Sequence, residues 1–235
     1  MKIDIWSDVR CPFCYVGKHK FEAALEQFPH KDKIEVVWRS FELDPDLKTD
    51  PDRSTLDHLA ESKGISRAQA ERMTQHAVKA AKEAGLELNF AKAVVANSFN
   101  AHRLMQFAKI RDLGSEAEEQ LFKAHFTEGI NIDDKTALLQ TGISIGLDEK
   151  EVGEVLFSDA YAGNVRQDEA DAQTLGIRGV PFFLFNDKYA VSGAQATGTF
   201  LEALTQSWNE FEKENKSKPI IITEGEACSM DGNCH

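Results

Sequence analysis

The sequence predicts an α/β domain split by a large all-helical insertion. Three observations carry that reading: a strand–helix–strand pattern at the start, long helical patterning through the middle, and a strand–strand–helix pattern near the end. With 235 residues, 42% of them hydrophobic, the chain can bury a substantial core and lies outside the compositions of disordered proteins. Fifteen Phe and three Trp supply the bulk of that core.

The elements follow in order. Ile3 to Ser7 reads as a short strand, and Asp8-Val9-Arg10 leads from it to Cys11-Pro12-Phe13-Cys14. From Pro12 onward Val16, Phe21, Leu25 and Phe28 suit one face of a helix, which Pro29 ends. Ile34-Glu35-Val36-Val37-Trp38 is β-branched and reads as a second strand, so the first unit is βαβ with parallel strands. Leu43 to Arg53 is a linker with turn-like Asp44-Pro45-Asp46 and Asp50-Pro51-Asp52.

From Arg53 to Gly176 the expectation is wholly helical. Capping boxes are predicted at Ser66–Gln69 and Asp148–Glu151, and a weaker one at Ser115–Glu118. Gly85, Gly114, Gly129, Gly146 and Gly176 fall where helix C-caps belong. Asn97 to Asp112 carries Phe99, Leu104, Met105, Phe107 and Ala108, a broad apolar face that reads as bundle core. Strands return at Pro181–Phe185 and Tyr189–Val191, joined by Asn186-Asp187-Lys188 as a hairpin turn. Thr199-Phe200-Leu201-Glu202 predicts the start of a last helix, with Leu204, Trp208 and Phe211 on its apolar side. The predicted division is residues 1–44 and 177–213 for the split core, 53–176 for the insertion, and 214–235 for a polar tail.

Charge excludes some functions. Asp and Glu number 39 against 27 Lys and Arg, a net charge of −12, which repels phosphate backbones and argues against nucleic acid. No apolar run approaches the roughly 18 residues of a membrane span. The start of the chain goes straight into a strand rather than a signal peptide, so the expected compartment is the cytoplasm, where thiols are kept reduced.

That expectation draws attention to the four cysteines, paired as Cys11 with Cys14 and Cys228 with Cys234. Cys11 is expected at the cap position of the first helix, with Pro12 at its first residue, where a missing N–H costs nothing. Free amides and the helix dipole then favour a thiolate on Cys11. Cys14, one turn on, can attack a mixed disulfide held on Cys11. A zinc site is the alternative, with Cys11 and Cys14 as one half and Cys228 and Cys234 (or His235) as the other. The five residues between Cys228 and Cys234 exceed the usual zinc spacing, and no metal is expected.

Asp8 is a candidate for proton transfer from Cys14, although loop capping is the commoner role of such an aspartate. His19 is expected to point to solvent, as are His58, His76 and Glu116 to Glu119. His102 and His125 are expected to pack at the core edge without an acid partner. Cys228 and Cys234, joined across Met230-Asp231-Gly232-Asn233, are a candidate second redox pair, expected to form their own disulfide.

Ser7-Asp8-Val9-Arg10-Cys11-Pro12-Phe13-Cys14-Tyr15-Val16-Gly17-Lys18, the Gly179-Val180-Pro181-Phe182-Phe183 strand start and Val191-Ser192-Gly193-Ala194-Gln195 together resemble the FrnE-type branch of the DsbA family. The resemblance runs from residue 1 to about residue 212. It implies a thioredoxin-like fold and a thiol–disulfide oxidoreductase or isomerase activity carried by Cys11, Cys14 and Pro181. It further implies a cis peptide before Pro181, with Val180, Phe13 and Pro12 facing substrate. Protein or low-molecular-weight disulfides are the implied partners. No cofactor is implied beyond glutathione as a candidate electron donor. The same family includes 2-hydroxychromene-2-carboxylate isomerases and kappa-class glutathione transferases, which place serine where Cys11 stands. A glutathione-dependent isomerase or transferase, or a client-binding holdase, is therefore the competing expectation.

Overall fold

A computed structural model describes residues 1–216. Its centre is a mixed sheet of four strands in the order β2-β1-β3-β4. Strand β1 (Lys2–Ser7) runs parallel to β2 (Glu35–Ser40) and antiparallel to β3 (Phe182–Phe185), which pairs antiparallel with β4 (Tyr189–Ser192). The parallel pair requires a crossover, supplied by α1 (Pro12–Gln27). Asn186 and Asp187, with φ of 50° and 56°, make the tight turn between β3 and β4. Lys188 completes a three-residue loop between the paired Phe185 and Tyr189, and positive φ at the two central positions of the turn matches the twist of the strands.

Alternation along β1 sends Ile3 and Ile5 to one face of the sheet and Trp6 to the other. Ile5 sits beside Trp38 on β2 and opposite Phe183 on β3. On this face Phe21 of α1 meets Phe183, Phe185 and Phe200, the last from α9 (Thr197–Lys216). All four rings are buried. On the opposite face Trp6 and Phe182 pack with Ala172 and Ile177. The last helix starts at Thr197, not at Thr199: the turn at Gly193 (φ 80°) brings the chain into helix two residues early, and Thr199 N–H already bonds Ala196 O at 3.0 Å.

Seven α-helices lie between β2 and β3 among the described residues: α2 (Thr55–Ser62), α3 (Arg67–Glu83), α4 (Phe99–Lys109), α5 (Gly114–Lys123), which runs on into a π-helical turn at Ala124–Glu128, α6 (Lys135–Ser144), α7 (Glu149–Leu156) and α8 (Ala162–Thr174). The expected box forms in full at Ser66, whereas at Asp148 only its N-cap half forms and the Glu151 carboxylate turns to Arg111. Ser66 and Gln69 cap α3 reciprocally, and Asp148 accepts from Glu151 N–H at α7. The expected cap at Ser115 fails. Helix α5 starts two residues earlier than that cap requires, with Leu113 at the N-cap, and the Ser115 hydroxyl instead accepts from Trp38 Nε1 at 3.0 Å. Gly114 opens that helix rather than ending α4. Asp112 takes the left-handed turn at φ 57°, and Leu113 N–H closes the cap on Ala108 O at 3.0 Å.

The block is also not helical throughout. After Gly85 (φ 78°), residues 86–97 run irregularly, held by Asn89 N–H to Phe126 O at 2.7 Å and Thr55 Oγ to Phe90 O at 2.6 Å.

A buried polar network ties this block to the sheet. Asp168 on α8 accepts from Arg39 at 2.8 Å and from Ser40 N–H at 2.9 Å, both on β2, and from Gln106 on α4. Arg39 also reaches Asp4 on β1 at 2.8 Å. An unpaired carboxylate at that depth would be costly, so these donors fix where α4 and α8 dock.

Candidate active site

The β1–α1 junction delivers two sulfurs to one place. Cys11 has extended backbone (φ −92°, ψ 110°) and is the N-cap of α1, with Pro12 as the first helical residue and no side-chain cap bond. Its carbonyl accepts from Cys14 N–H at 3.0 Å, closing the first turn. Both thiols are free, Cys11 with 6% of its surface exposed and Cys14 with 1%. Burial first, and then the adjacent Cys11 sulfur, push the Cys14 thiol well above its usual range. Cys11 sits at the N-terminal, positive end of the dipole of a sixteen-residue helix.

The chain entering β3 forms the other side. The Val180–Pro181 bond is cis, as expected, and the Cys11 thiol lies 3.6 Å from Val180 O. Gly17, one turn beyond Cys14, makes this approach possible: a Cβ there would stand 2.9 Å from Pro181 Cγ. Gly17 lies within the motif around the two cysteines, where local sequence assigns it no role. Its signal was its place on the helix face that meets the proline.

Helices of the block complete the surround. Cys11, Cys14, Tyr15 and Val16 pack with Ala77 and Ala81 of α3, Leu88, and Phe122 of α5 with Phe126 beyond it. Tyr15 stacks on Phe122 at 4.9 Å, and Phe13 lies against His76 at 5.6 Å. The structure thus brings Cys11, Cys14, Val180 and Pro181 together, with Pro12 and Phe13 on the same turn. Cys228 and Cys234 lie outside the described residues.

This geometry agrees with comparison to known sequences, in which the family model for the DSBA-like thioredoxin domain matches residues 2–205. The chain belongs to that family. It is 30% identical over 214 residues to the uncharacterized protein YwbO of Bacillus subtilis (strain 168), covering 86% of this chain and 95% of that one. A probable DsbA oxidoreductase from Streptomyces coelicolor superposes with a TM-score of 0.85 at 38% identity, over 100% of this chain and 98% of the other. The cytosolic disulfide reductase DsbM from Pseudomonas aeruginosa, solved with GSH, shares the fold (TM-score 0.61, 20% identity, 92% and 100% covered).

Beneath the sulfurs of this DSBA-like chain lies a layer of buried polar groups that corrects several expectations. Asp8 caps its own loop, accepting from Arg10 N–H at 3.0 Å and Leu43 N–H at 2.8 Å. It also faces His102, which was expected to have no acid partner, at 3.5 Å. Burial pushes the Asp8 carboxyl up, but His102 and the Leu43 amide outweigh it and hold it below the ordinary range. Burial likewise pushes His102 down, and Asp8, Glu118 and Glu42 together raise it. His125 is buried, with Nδ1 unpartnered, and burial followed by the Arg10 charge brings it down to about 4.

Glu118 and Glu119 do not line a solvated face. Glu118 is 1% exposed and accepts from the Ser7 hydroxyl. Glu119 takes Tyr15 Oη at 2.8 Å, Lys18 Nζ at 2.7 Å and His19 Nε2 at 3.0 Å. His19 therefore turns toward α5 rather than to solvent. The spacing of α1 places Tyr15, Lys18 and His19 on one face, but only the fold puts Glu119 opposite them. His19, Glu22 and Glu119 offer ligand atoms within 4.8 Å of one another, yet Lys18 Nζ already pairs with both carboxylates at 2.8 and 2.7 Å.

Proposed function

We propose that the protein is a cytoplasmic thiol–disulfide oxidoreductase acting on protein or low-molecular-weight disulfides through Cys11 and Cys14. The carrying observation is the Cys11 thiol at the N-cap of α1, 3.6 Å from Val180 O, with the buried Cys14 one turn behind. In the reducing direction the Cys11 thiolate attacks one sulfur of the substrate disulfide and displaces the other as a thiolate, which takes a proton. Cys14 then loses its proton, attacks Cys11 Sγ and releases the second substrate thiol. Two electrons pass from the dithiol to the substrate, and the chain is left with a Cys11–Cys14 disulfide.

Glutathione is the proposed donor that reduces that disulfide. The fold shared with a cytosolic reductase solved with GSH supports this donor and this compartment. Both cysteines speak against an isomerase or transferase of the kind in which the resemblance places a serine where Cys11 stands. In the proposed second centre, Cys228 and Cys234 exchange with the active-site pair.

Reduction of insulin disulfides by dithiothreitol or glutathione tests the reading. The wild-type chain should accelerate it and Cys11→Ser should abolish the acceleration. Equal rates with and without the protein would overturn it. A chain that lacks this activity but suppresses client aggregation as a Cys11→Ser, Cys14→Ser double variant would be a holdase instead.

A further inference from the structure

Resolution by Cys14 needs somewhere for its proton to go. The thiol is 1% exposed, so water does not reach it freely. Its polar neighbours are the Cys11 sulfur, the Asp8 backbone and the Ser7 side chain. Asp8, the carboxylate nearest in sequence, has its two oxygens committed to Arg10 N–H, Leu43 N–H and His102. Ser7 is different. Its hydroxyl is within hydrogen-bonding reach of Cys14 and bonds Glu118 Oε1 on the other side. The second oxygen of Glu118 is buried with no partner at all.

We propose that Glu118 is the proton acceptor for Cys14, with the Ser7 hydroxyl as the bridge. This rests on the reading of Cys11 and Cys14 as a redox pair. The Cys14 S–H passes its proton to Ser7 Oγ as Ser7 passes its own to Glu118 Oε1. The new Cys14 thiolate attacks Cys11 Sγ, the bond from Cys11 to the substrate sulfur breaks, and that sulfur leaves as a thiolate. Glu118 begins as the carboxylate and ends protonated and neutral, and the one negative charge leaves on the substrate thiolate, so charge is conserved across the step. In the reverse direction Glu118 returns the proton to Cys14.

Position supports the assignment. Glu118 lies on α5, and its surroundings suit a group that must change charge. His102 on α4 and Lys18 on α1 face it with positive charge, and Asp8 after β1 faces it with negative charge. Burial raises its carboxyl above the ordinary range, against the pull of Ser7, His102 and Lys18. A carboxyl so raised is better matched to a thiol than an exposed one. Glu118 touches Cys14 only through Ser7 and is a positioning residue in that sense.

A single-turnover reaction with Ellman's reagent tests the relay. The full chain carries Cys228→Ser and Cys234→Ser, so that only Cys11 and Cys14 react. The first thionitrobenzoate released reports attack by Cys11, and the second reports resolution by Cys14. We expect Glu118→Gln to leave the first phase unchanged and to slow the second by about a hundredfold or more near neutral pH, the scale of a lost proton acceptor. The deficit should shrink as pH rises toward the range where Cys14 ionises unaided. Ser7→Ala should reproduce the slowing and Ser7→Thr, which keeps a hydroxyl, should relieve it.

Should Glu118→Gln fail to fold, the Ser7→Ala and Ser7→Thr pair decides alone. Second phases of wild-type rate and pH profile in Glu118→Gln, or in Ser7→Ala, would overturn the relay. Absence of a second phase in the parent chain would instead overturn the redox pairing.

Discussion

At the scale of single residues, the legible part of the site is the part written in adjacent positions. Cys11, Pro12 and Cys14 lie next to one another, so cap, helix start and partner sulfur follow from local chain geometry. Glu118 and His102 were misread as solvated face and core edge, because the groups they meet, Ser7 and Asp8, are about a hundred residues away in sequence. Gly17 sits between these cases. Its missing side chain lets Pro181 approach, and a Cβ would fall 2.9 Å from Pro181 Cγ and 3.4 Å from Phe183 Cζ. Gly17→Ala sets two effects against each other. Helix propensity alone would stabilise by up to about 1 kcal/mol, whereas overpacking costs about 1–3 kcal/mol. The proline ring cannot swing away as a flexible side chain would, so overpacking should win. Thermal unfolding should show a lower midpoint, together with slower insulin reduction. A raised midpoint would mean that the contact is looser than the structure has it.

At the scale of elements, α1 and α5 are joined by Glu119, which gathers Tyr15, Lys18 and His19. Burial pushes its carboxyl up, but these donors and charges win and bring it down to about 2 from an ordinary 4.5. A carboxyl lowered by folding stabilises the native state above its unfolded value, and that contribution disappears as pH falls from about 4.5 toward 2. Glu119→Gln should therefore lower the melting temperature at neutral pH, by less as the medium is acidified, and the two curves should converge only as pH approaches about 2. A gap that persists undiminished in acid would assign the loss to packing. The caps divide in the same way. Ser66 and Gln69 were legible because both partners are local. Ser115 was not, because its hydroxyl answers Trp38 on a strand far away in sequence.

At the scale of the whole molecule, the order βαβ, helices, ββα was legible because hydrophobic period changes sharply at each boundary. How the helices dock was not, since it depends on buried partners such as Asp168 with Arg39, Ser40 and Gln106. The consequence of that docking is functional: α3 and α5 supply the apolar wall around Cys11 and Cys14, so sheet and helices share one site. The central claim is that this site exchanges disulfides through Cys11 first. Its most direct test is to react Cys14→Ser with glutathione disulfide and map the adduct by mass spectrometry of non-reduced peptides. One glutathione is expected on the peptide carrying Cys11, stable until a reductant is added, and none there when Cys11 is also replaced by Ser. A Cys11 peptide that stays free while other cysteines are modified would contradict it.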